Sequence, residues 1–237
     1  MDSFIGWEEY LSISLPATLM LCAEWWAFEI NVIVSGYFGV AQIAACTIAH
    51  NLSATIFMAP VGFQEGICSL VGSSIGANNV ALGKRIFRVT FVIAYFLCAL
   101  ISILVYFFRD KISSFFSPDK EVQYILIRLI PIQALMYLTD SAQGIFSGTV
   151  RGLGLQGQAV KFMLPAYYLI GFPLGLFFGF GLKLEVIGLW LGSTVSVTLQ
   201  SMIFLRIILR ANWQEIANRS GEVIEEFRVT MKKAQTS

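Results

Sequence analysis

Charged residues are scarce in this sequence, because Lys, Arg, Asp and Glu make up only 13% of its 237 residues. A soluble domain usually has about 25% charged residues, so the deficit argues against a soluble fold. Hydrophobic residues make up 57% of the chain and collect in stretches of roughly 20, the length that an α-helix needs to cross a bilayer. The net charge of +1 leaves no basic excess for nucleic acid. The composition therefore indicates an all-α membrane protein.

Motifs of catalysis, metal binding and secretion are also missing. The four cysteines lack C-x-x-C spacing, which argues against a zinc site or a disulfide framework. His50 is the only histidine, and no P-loop or H-E-x-x-H motif occurs. The glycine motif at 152–157 matches G-x-G-x-x-G but follows an apolar helix instead of a strand, so a dinucleotide site is rejected. We expect no enzyme activity, no cofactor and, because residues 1–7 lack a basic region, no signal peptide.

Six apolar stretches are long enough to cross a membrane, and lipid requires each of them to be helical. They cover residues 12–36, 42–63, 87–108, 122–147, 161–181 and 186–209. Segments 1–11 and 211–237 flank this six-helix region, 12–210, and are expected in the cytoplasm. The second of them is expected to be disordered or amphipathic, since Val223, Phe227 and Met231 repeat at i, i+4 and i+8.

Basic residues indicate how the spans are oriented. Eleven of the 16 Lys and Arg lie on the side of both chain ends, and five lie on the other side. Cytoplasmic loops carry the Lys and Arg excess, so both termini are expected in the cytoplasm. Two longer polar connections are predicted, at residues 64–86 and 109–121.

Three acidic residues lie inside the apolar spans: Glu24 and Glu29 in the first and Asp140 in the fourth. A charge at the centre of a lone membrane helix costs about 2.5–3.5 kcal/mol on insertion scales, so such residues are candidates for a functional site. No Lys or Arg lies equally deep, so no internal salt bridge neutralises them. We interpret them as groups for cation contact or proton transfer, the alternative being satisfied interhelical hydrogen bonds.

The first two acids cannot point at one atom in a straight helix, since five residues correspond to about 140° of rotation. A wide aqueous cavity or a distorted helix would serve both. Trp26 and its aromatic neighbours offer cation–π faces, although packing at the membrane surface is the more common role. His50, beside Asn51 in the second span, is a candidate proton relay, with packing as the more common role.

Several further motifs occur in order. They include Glu24-Trp25-Trp26-Ala27-Phe28-Glu29, Met58-Ala59-Pro60-Val61-Gly62-Phe63, Val71-Gly72, Ile75-Gly76-Ala77 and Val150-Arg151-Gly152-Leu153-Gly154-Leu155-Gln156. Tyr167-Tyr168, Gly171-Phe172-Pro173-Leu174 and Gly188-Leu189-Trp190 continue the series. Over about residues 7–213, the chain resembles the C-terminal six-helix half of the multidrug and toxic compound extrusion (MATE) family, in its eukaryotic form.

This resemblance implies one lobe of an antiporter that exports organic cations or xenobiotics in exchange for protons or sodium ions. Alternating access needs two bundles, so a second six-helix lobe or a second copy of the chain is the implied partner. Glu24, Glu29 and Asp140 match acidic cavity positions of the family, whereas Asn51 stands where many eukaryotic members carry glutamate. With Trp26, these residues form the predicted site for cation or substrate.

The resemblance also implies a multi-pass protein of the plasma membrane or a vacuolar-type organelle membrane. Two other functions stay open. One is a non-transporting membrane subunit or truncated regulatory lobe, and the other, less favoured because neither a selectivity-filter repeat nor a charge ring is present, is a passive channel.

Overall fold

A computed structural model describes residues 7–223, with side chains except at 7–10, 12, 13, 16, 17, 20 and 21. Every regular element in that range is helical. The helices are α1 (Trp7–Ser35), α2 (Val40–Gly76), α3 (Val80–Phe107), α4 (Arg109–Phe116), α5 (Lys120–Gly152), α6 (Gln156–Leu164), α7 (Phe172–Leu176) and α8 (Val186–Arg210). A further helix, α9, covers residues 213–223.

Five helical segments are long and apolar enough to cross a membrane. They are Val40–Gly76, Val80–Phe107, Lys120–Gly152, Gln156–Gly181 and Val186–Arg210. These five correspond to the second to sixth predicted spans. The first predicted span coincides with α1, a helix of 29 residues. Its crossing of the membrane and the orientation of all the spans stay predictions.

The two polar connections are more helical than the sequence predicted. α2 continues to Gly76 instead of ending near residue 63, so the connection to α3 is only 77–79 and the predicted loop 64–86 is wrong. The polar residues of this stretch are tolerated because some are buried between helices, as Gln64 is. The charged connection 109–121 contains the short helix α4.

The predicted terminal segments are described only in part. Residues 1–6 and 224–237, and with them Phe227 and Met231, lie outside the described residues. Within the tail, α9 packs on the bundle through Trp213 and Ala217, both buried in the main hydrophobic core. The division of the chain into these segments stays a prediction.

α5 packs against α2, α3 and α8 and is central to the bundle. Small residues bring α2 and α5 close together. A Cβ at Gly148 would overlap the backbone carbonyl oxygen of Gln64, and a Cβ at Gly152 would lie 2.7 Å from that of Cys68. Gly144, Gly148 and Gly152 share one helix face at a spacing of four residues, which suits close contact between membrane helices. These three glycines therefore allow the backbones of α2 and α5 to approach closely.

The fifth span changes its helical form along its length. A π-helical stretch, Pro165–Gly171, joins α6 to α7, and a second one, Phe177–Gly181, follows α7. Proline has no N–H, and its ring clashes with the carbonyl group four residues earlier, so Pro165 and Pro173 both disfavour a regular α-helix. The wider π turn carries two tyrosines of the candidate site.

Candidate functional site

A small pocket lies between α1, α2 and α5. Its lining consists of Glu24, Trp25, Phe28, His50, Ser53, Ala54, Phe57, Met136 and Asp140. The volume is about 40 Å³, and a water molecule needs about 10–15 Å³ on this measure, so roughly three fit. A drug-sized ligand needs about 300–1,000 Å³. This pocket therefore suits water, protons or a small ion, and is too small for an organic cation.

Glu24 is the buried acid of α1, with 9% of its surface exposed. The Tyr167 hydroxyl, from the π-helical stretch, donates to Glu24 Oε1 over 3.5 Å. The next residue, Tyr168, donates to the carbonyl oxygen of Ala23 over 2.8 Å. The Gln143 amide lies beside Glu24 without meeting the geometry of a hydrogen bond. Two consecutive tyrosines therefore hold α1 at adjacent points, and one of them contacts the carboxylate.

Asp140 is the buried acid of α5, with 6% of its surface exposed. It lines the pocket of Glu24 and also a second pocket of about 10 Å³ that Tyr137 and Cys98 help to line. Asp140 and Glu24 are close enough for their charges to repel each other. Among the described residues, neither acid forms an ion pair with Lys or Arg. The charge of Arg151 acts on Glu24 only from beyond ion-pair distance, so no described Lys or Arg neutralises either carboxylate directly.

Glu29 lies at the margin of this arrangement. Its side chain is 58% exposed, and its Oε1 lies 3.5 Å from Nε2 of His50, which is mostly buried and lines the pocket. The angle of about 140° between residues five apart on a helix explains why Glu24 is buried while Glu29 is exposed. His50 connects the exposed acid to the pocket.

The other two predicted site residues, Trp26 and Asn51, do not line the pocket. Trp26 is 64% exposed, and Asn51 is also exposed. It is Trp25 that faces the pocket, with its ring centroid 6.4 Å from that of Phe57. A role for Trp26 and Asn51 in cation binding stays a prediction, and it requires a second surface opposite them.

Sequence reasoning gave Tyr167 no role at the site and did not place the polar network beside the pocket. The Gln133 amide donates to the Ala49 carbonyl oxygen over 2.8 Å and to Ser53 Oγ over 2.7 Å. The Tyr137 hydroxyl donates to Ser53 Oγ over 3.2 Å. These bonds join α2 to α5 next to the pocket. In the sequence, Tyr167 stands out only through the Tyr167-Tyr168 motif of the family resemblance, which gives it no role at the pocket.

Comparisons with known proteins agree with this architecture. A sequence profile of the MatE family matches residues 16–177. Multidrug and toxin extrusion protein 1 of Oryctolagus cuniculus is 30% identical over 220 residues, which cover 93% of this chain and 39% of that protein. Multidrug and toxin extrusion protein 2 of Mus musculus is 33% identical over 220 residues, which cover 92% of this chain and 38% of that protein. The chain spans less than half the length of these curated relatives.

Solved structures share the fold. The crystal structure of the eukaryotic MATE transporter AtDTX14 matches with a TM-score of 0.90 and 26% identity, over 94% of this chain and 50% of that one. An outward-facing multidrug resistance MATE family transporter matches with a TM-score of 0.77 and 16% identity, over 84% of this chain and 44% of that one. The names of these proteins describe extrusion and transport rather than catalysis. The chain is an integral, multi-pass membrane protein, and it belongs to the MatE family of multidrug and toxin extrusion proteins.

Proposed function

We propose that the chain forms one lobe of a transporter that extrudes organic cations in exchange for protons or sodium ions. The observation that carries the proposal is the pair Glu24 and Asp140, which line one pocket and form no ion pair with a described Lys or Arg. The curated relatives are named for the extrusion of multiple drugs and toxins, which supports the same direction and class of substrate.

Exchange follows from the electrostatics of two neighbouring carboxylates. Two negative charges in one buried pocket repel each other, and each loses solvation that it would have in bulk water. A proton or a cation bound between the two carboxylates relieves this cost. A proton, a sodium ion and the charged group of a drug would compete for the same carboxylate oxygens of Glu24 and Asp140. The binding of one of these cations therefore favours the release of another.

A second lobe is needed to complete the cavity. Glu29 and Asn51 are exposed on α1 and α2, where contact with lipid tails would be costly. This face, which also carries Trp26, therefore suits contact with protein or with a water-filled cavity. A second six-helix lobe opposite it would enlarge the 40 Å³ pocket towards the volume that an organic cation needs.

Flux of ethidium, a fluorescent organic cation, tests the proposal in liposomes that contain the chain alone or together with a second six-helix lobe. We expect transport driven by an imposed pH or sodium gradient in the two-lobed form. Glu24→Gln and Asp140→Asn should abolish it, whereas Asp110→Asn, a change at an exposed acid on α4, should not. The gradient that drives flux identifies the coupling ion.

Two outcomes would contradict the proposal. Unchanged flux in both Glu24→Gln and Asp140→Asn would remove the buried pair from the mechanism. An absence of ethidium flux in every arrangement, with the protein inserted and folded, would favour the non-transporting membrane subunit instead.

A further inference from the structure

A larger cavity lies away from the buried acids, where α6, α8 and α9 meet. It is a groove of about 820 Å³. Part of its lining is apolar and consists of Leu155, Phe162, Ile203, Ile207, Ala211 and Ile216. The transport mechanism proposed above does not use this groove.

Three arginines, Arg206, Arg210 and Arg219, also line the groove, and all three side chains are exposed. None of them forms an ion pair with another described residue. Glu215 is the one carboxylate in the lining, and the Asn212 amide donates to its Oε2 over 3.2 Å. Three guanidinium groups against one carboxylate leave a positive excess, and arginine binds phosphate and carboxylate groups through two parallel N–H donors.

The wall formed by α9 is anchored to the bundle. Trp213 is buried, and its Nε1 donates to the Ile208 carbonyl oxygen over 3.2 Å. The Lys84 ammonium lies 5.9 Å from the centre of the Trp213 ring, and Ala217 is also buried. Arg219 is therefore presented to the groove from a docked helix, whereas Arg206 and Arg210 come from the end of α8.

The groove combines a basic end with an apolar floor, of which Phe162, Ile203 and Ile207 belong to membrane-spanning helices. Arg206 and Arg210 lie in the last turn and a half of α8, and Ile203 and Ile207 lie beside them on the same span. Phe162, on the fifth span, is 54% exposed. A phospholipid has the matching shape, since its charged headgroup sits at the membrane surface and its acyl chains run into the apolar layer. A free phosphate ion would leave the apolar floor without a partner.

We propose that this groove binds an anionic phospholipid of the phosphatidylserine class. Arg206, Arg210 and Arg219 contact the phosphate and the serine carboxylate of its headgroup, while Phe162 and Ile203 pack against an acyl chain. The basic residues place this end of α8 on the predicted cytoplasmic side, and the cytoplasmic leaflet is the one that carries anionic lipid.

Native mass spectrometry of the chain in detergent, with phosphatidylserine and phosphatidylcholine supplied together, tests this site. We expect phosphatidylserine to be retained preferentially. Each of Arg206→Gln, Arg210→Gln and Arg219→Gln should weaken its binding about fivefold, the usual contribution of a basic residue at an anionic membrane surface. The changes Arg109→Gln and Lys111→Gln, on α4, are matched controls and should leave the retention unchanged.

A substitution that is expected to strengthen phosphatidylserine binding separates loss of the site from damage to the fold. Glu215→Gln removes the only carboxylate of the lining and should tighten phosphatidylserine binding. Inorganic phosphate should displace the lipid poorly, because it makes no contact with the apolar floor. Equal losses in the groove and control variants, weaker binding in Glu215→Gln, or full displacement by inorganic phosphate would each overturn the proposal.

Discussion

At the scale of single residues, the two tyrosines of the π-helical stretch offer a matched comparison. Tyr167→Phe removes the hydroxyl that donates to Glu24, and Tyr168→Phe removes the one that donates to the backbone of Ala23. Each change should lower the free energy of unfolding by about 0.6 kcal/mol, the average for a hydrogen bond between membrane helices. Only Tyr167→Phe should lower gradient-driven ethidium flux, because only this hydroxyl contacts the carboxylate.

Thermal unfolding and the initial rate of flux in two-lobed liposomes check this expectation. The native protein and Phe57→Leu, a change elsewhere in the pocket lining that leaves both hydroxyls in place, are the references. Equal flux in the two tyrosine variants would show that Tyr167 has only a structural role.

The buried acids could be predicted from the sequence, but the rotation of α1 could not. Glu24 and Asp140 stand out because a carboxyl group in an apolar span is costly wherever it points. Trp25 and Trp26 are separated by about 100° of helix rotation, and only Trp25 faces the pocket. The sequence of α1 has apolar residues on every side of the helix. No single hydrophobic stripe therefore indicates which of the two tryptophans faces the protein interior.

At the scale of helices, the contact of α2 with α5 depends on Gly148. Gly148→Ala would place a Cβ against the Gln64 carbonyl oxygen, which belongs to the backbone and cannot move aside. Overpacking of this kind typically costs about 1–3 kcal/mol, so we expect a clearly lower melting temperature. Gly66→Ala is the matched control on α2, because a Cβ there meets nothing within 4 Å.

Thermal unfolding of the purified variants, monitored by fluorescence-detected size-exclusion chromatography, checks this prediction. A melting temperature that falls equally in both variants would mean that the loss of glycine itself, rather than the helix contact, is responsible.

The extent of the helices was only partly readable from the sequence. Hydropathy located the second to sixth predicted spans well, because an apolar run of sufficient length has few alternatives in lipid. Hydropathy ended α2 too early. Gln64, Glu65 and the glycines that follow are typical of a loop when their contacts with α5 are not known. Glu65 in fact forms an ion pair with Arg151, 2.6 Å away, next to the end of α5. The π-helical stretch Pro165–Gly171 had no signal in the sequence beyond Pro165 and Gly171 themselves.

At the scale of the whole molecule, the exposed face of α1 and α2 is poorly suited to contact with lipid tails. It presents the exposed Glu29 and Asn51 between apolar residues such as Trp26 and Ile33, which are 64% and 68% exposed. The exposed face of α3 differs, since Val92, Phe96 and Leu100 are all apolar. We infer that α3 faces lipid and that α1 and α2 face the second lobe.

Labelling with a water-soluble maleimide distinguishes these two faces. In a background without Cys22, Cys46, Cys68 and Cys98, we expect Trp26→Cys to react in the chain alone and to be protected when a second six-helix lobe is co-expressed. Protection follows because the partner covers the face that Trp26 shares with Glu29. Phe96→Cys, 74% exposed in the native chain, should react slowly in both preparations because lipid tails surround it. Unchanged reactivity of Trp26→Cys, with the two lobes shown to co-purify, would place the partner on another face of the bundle.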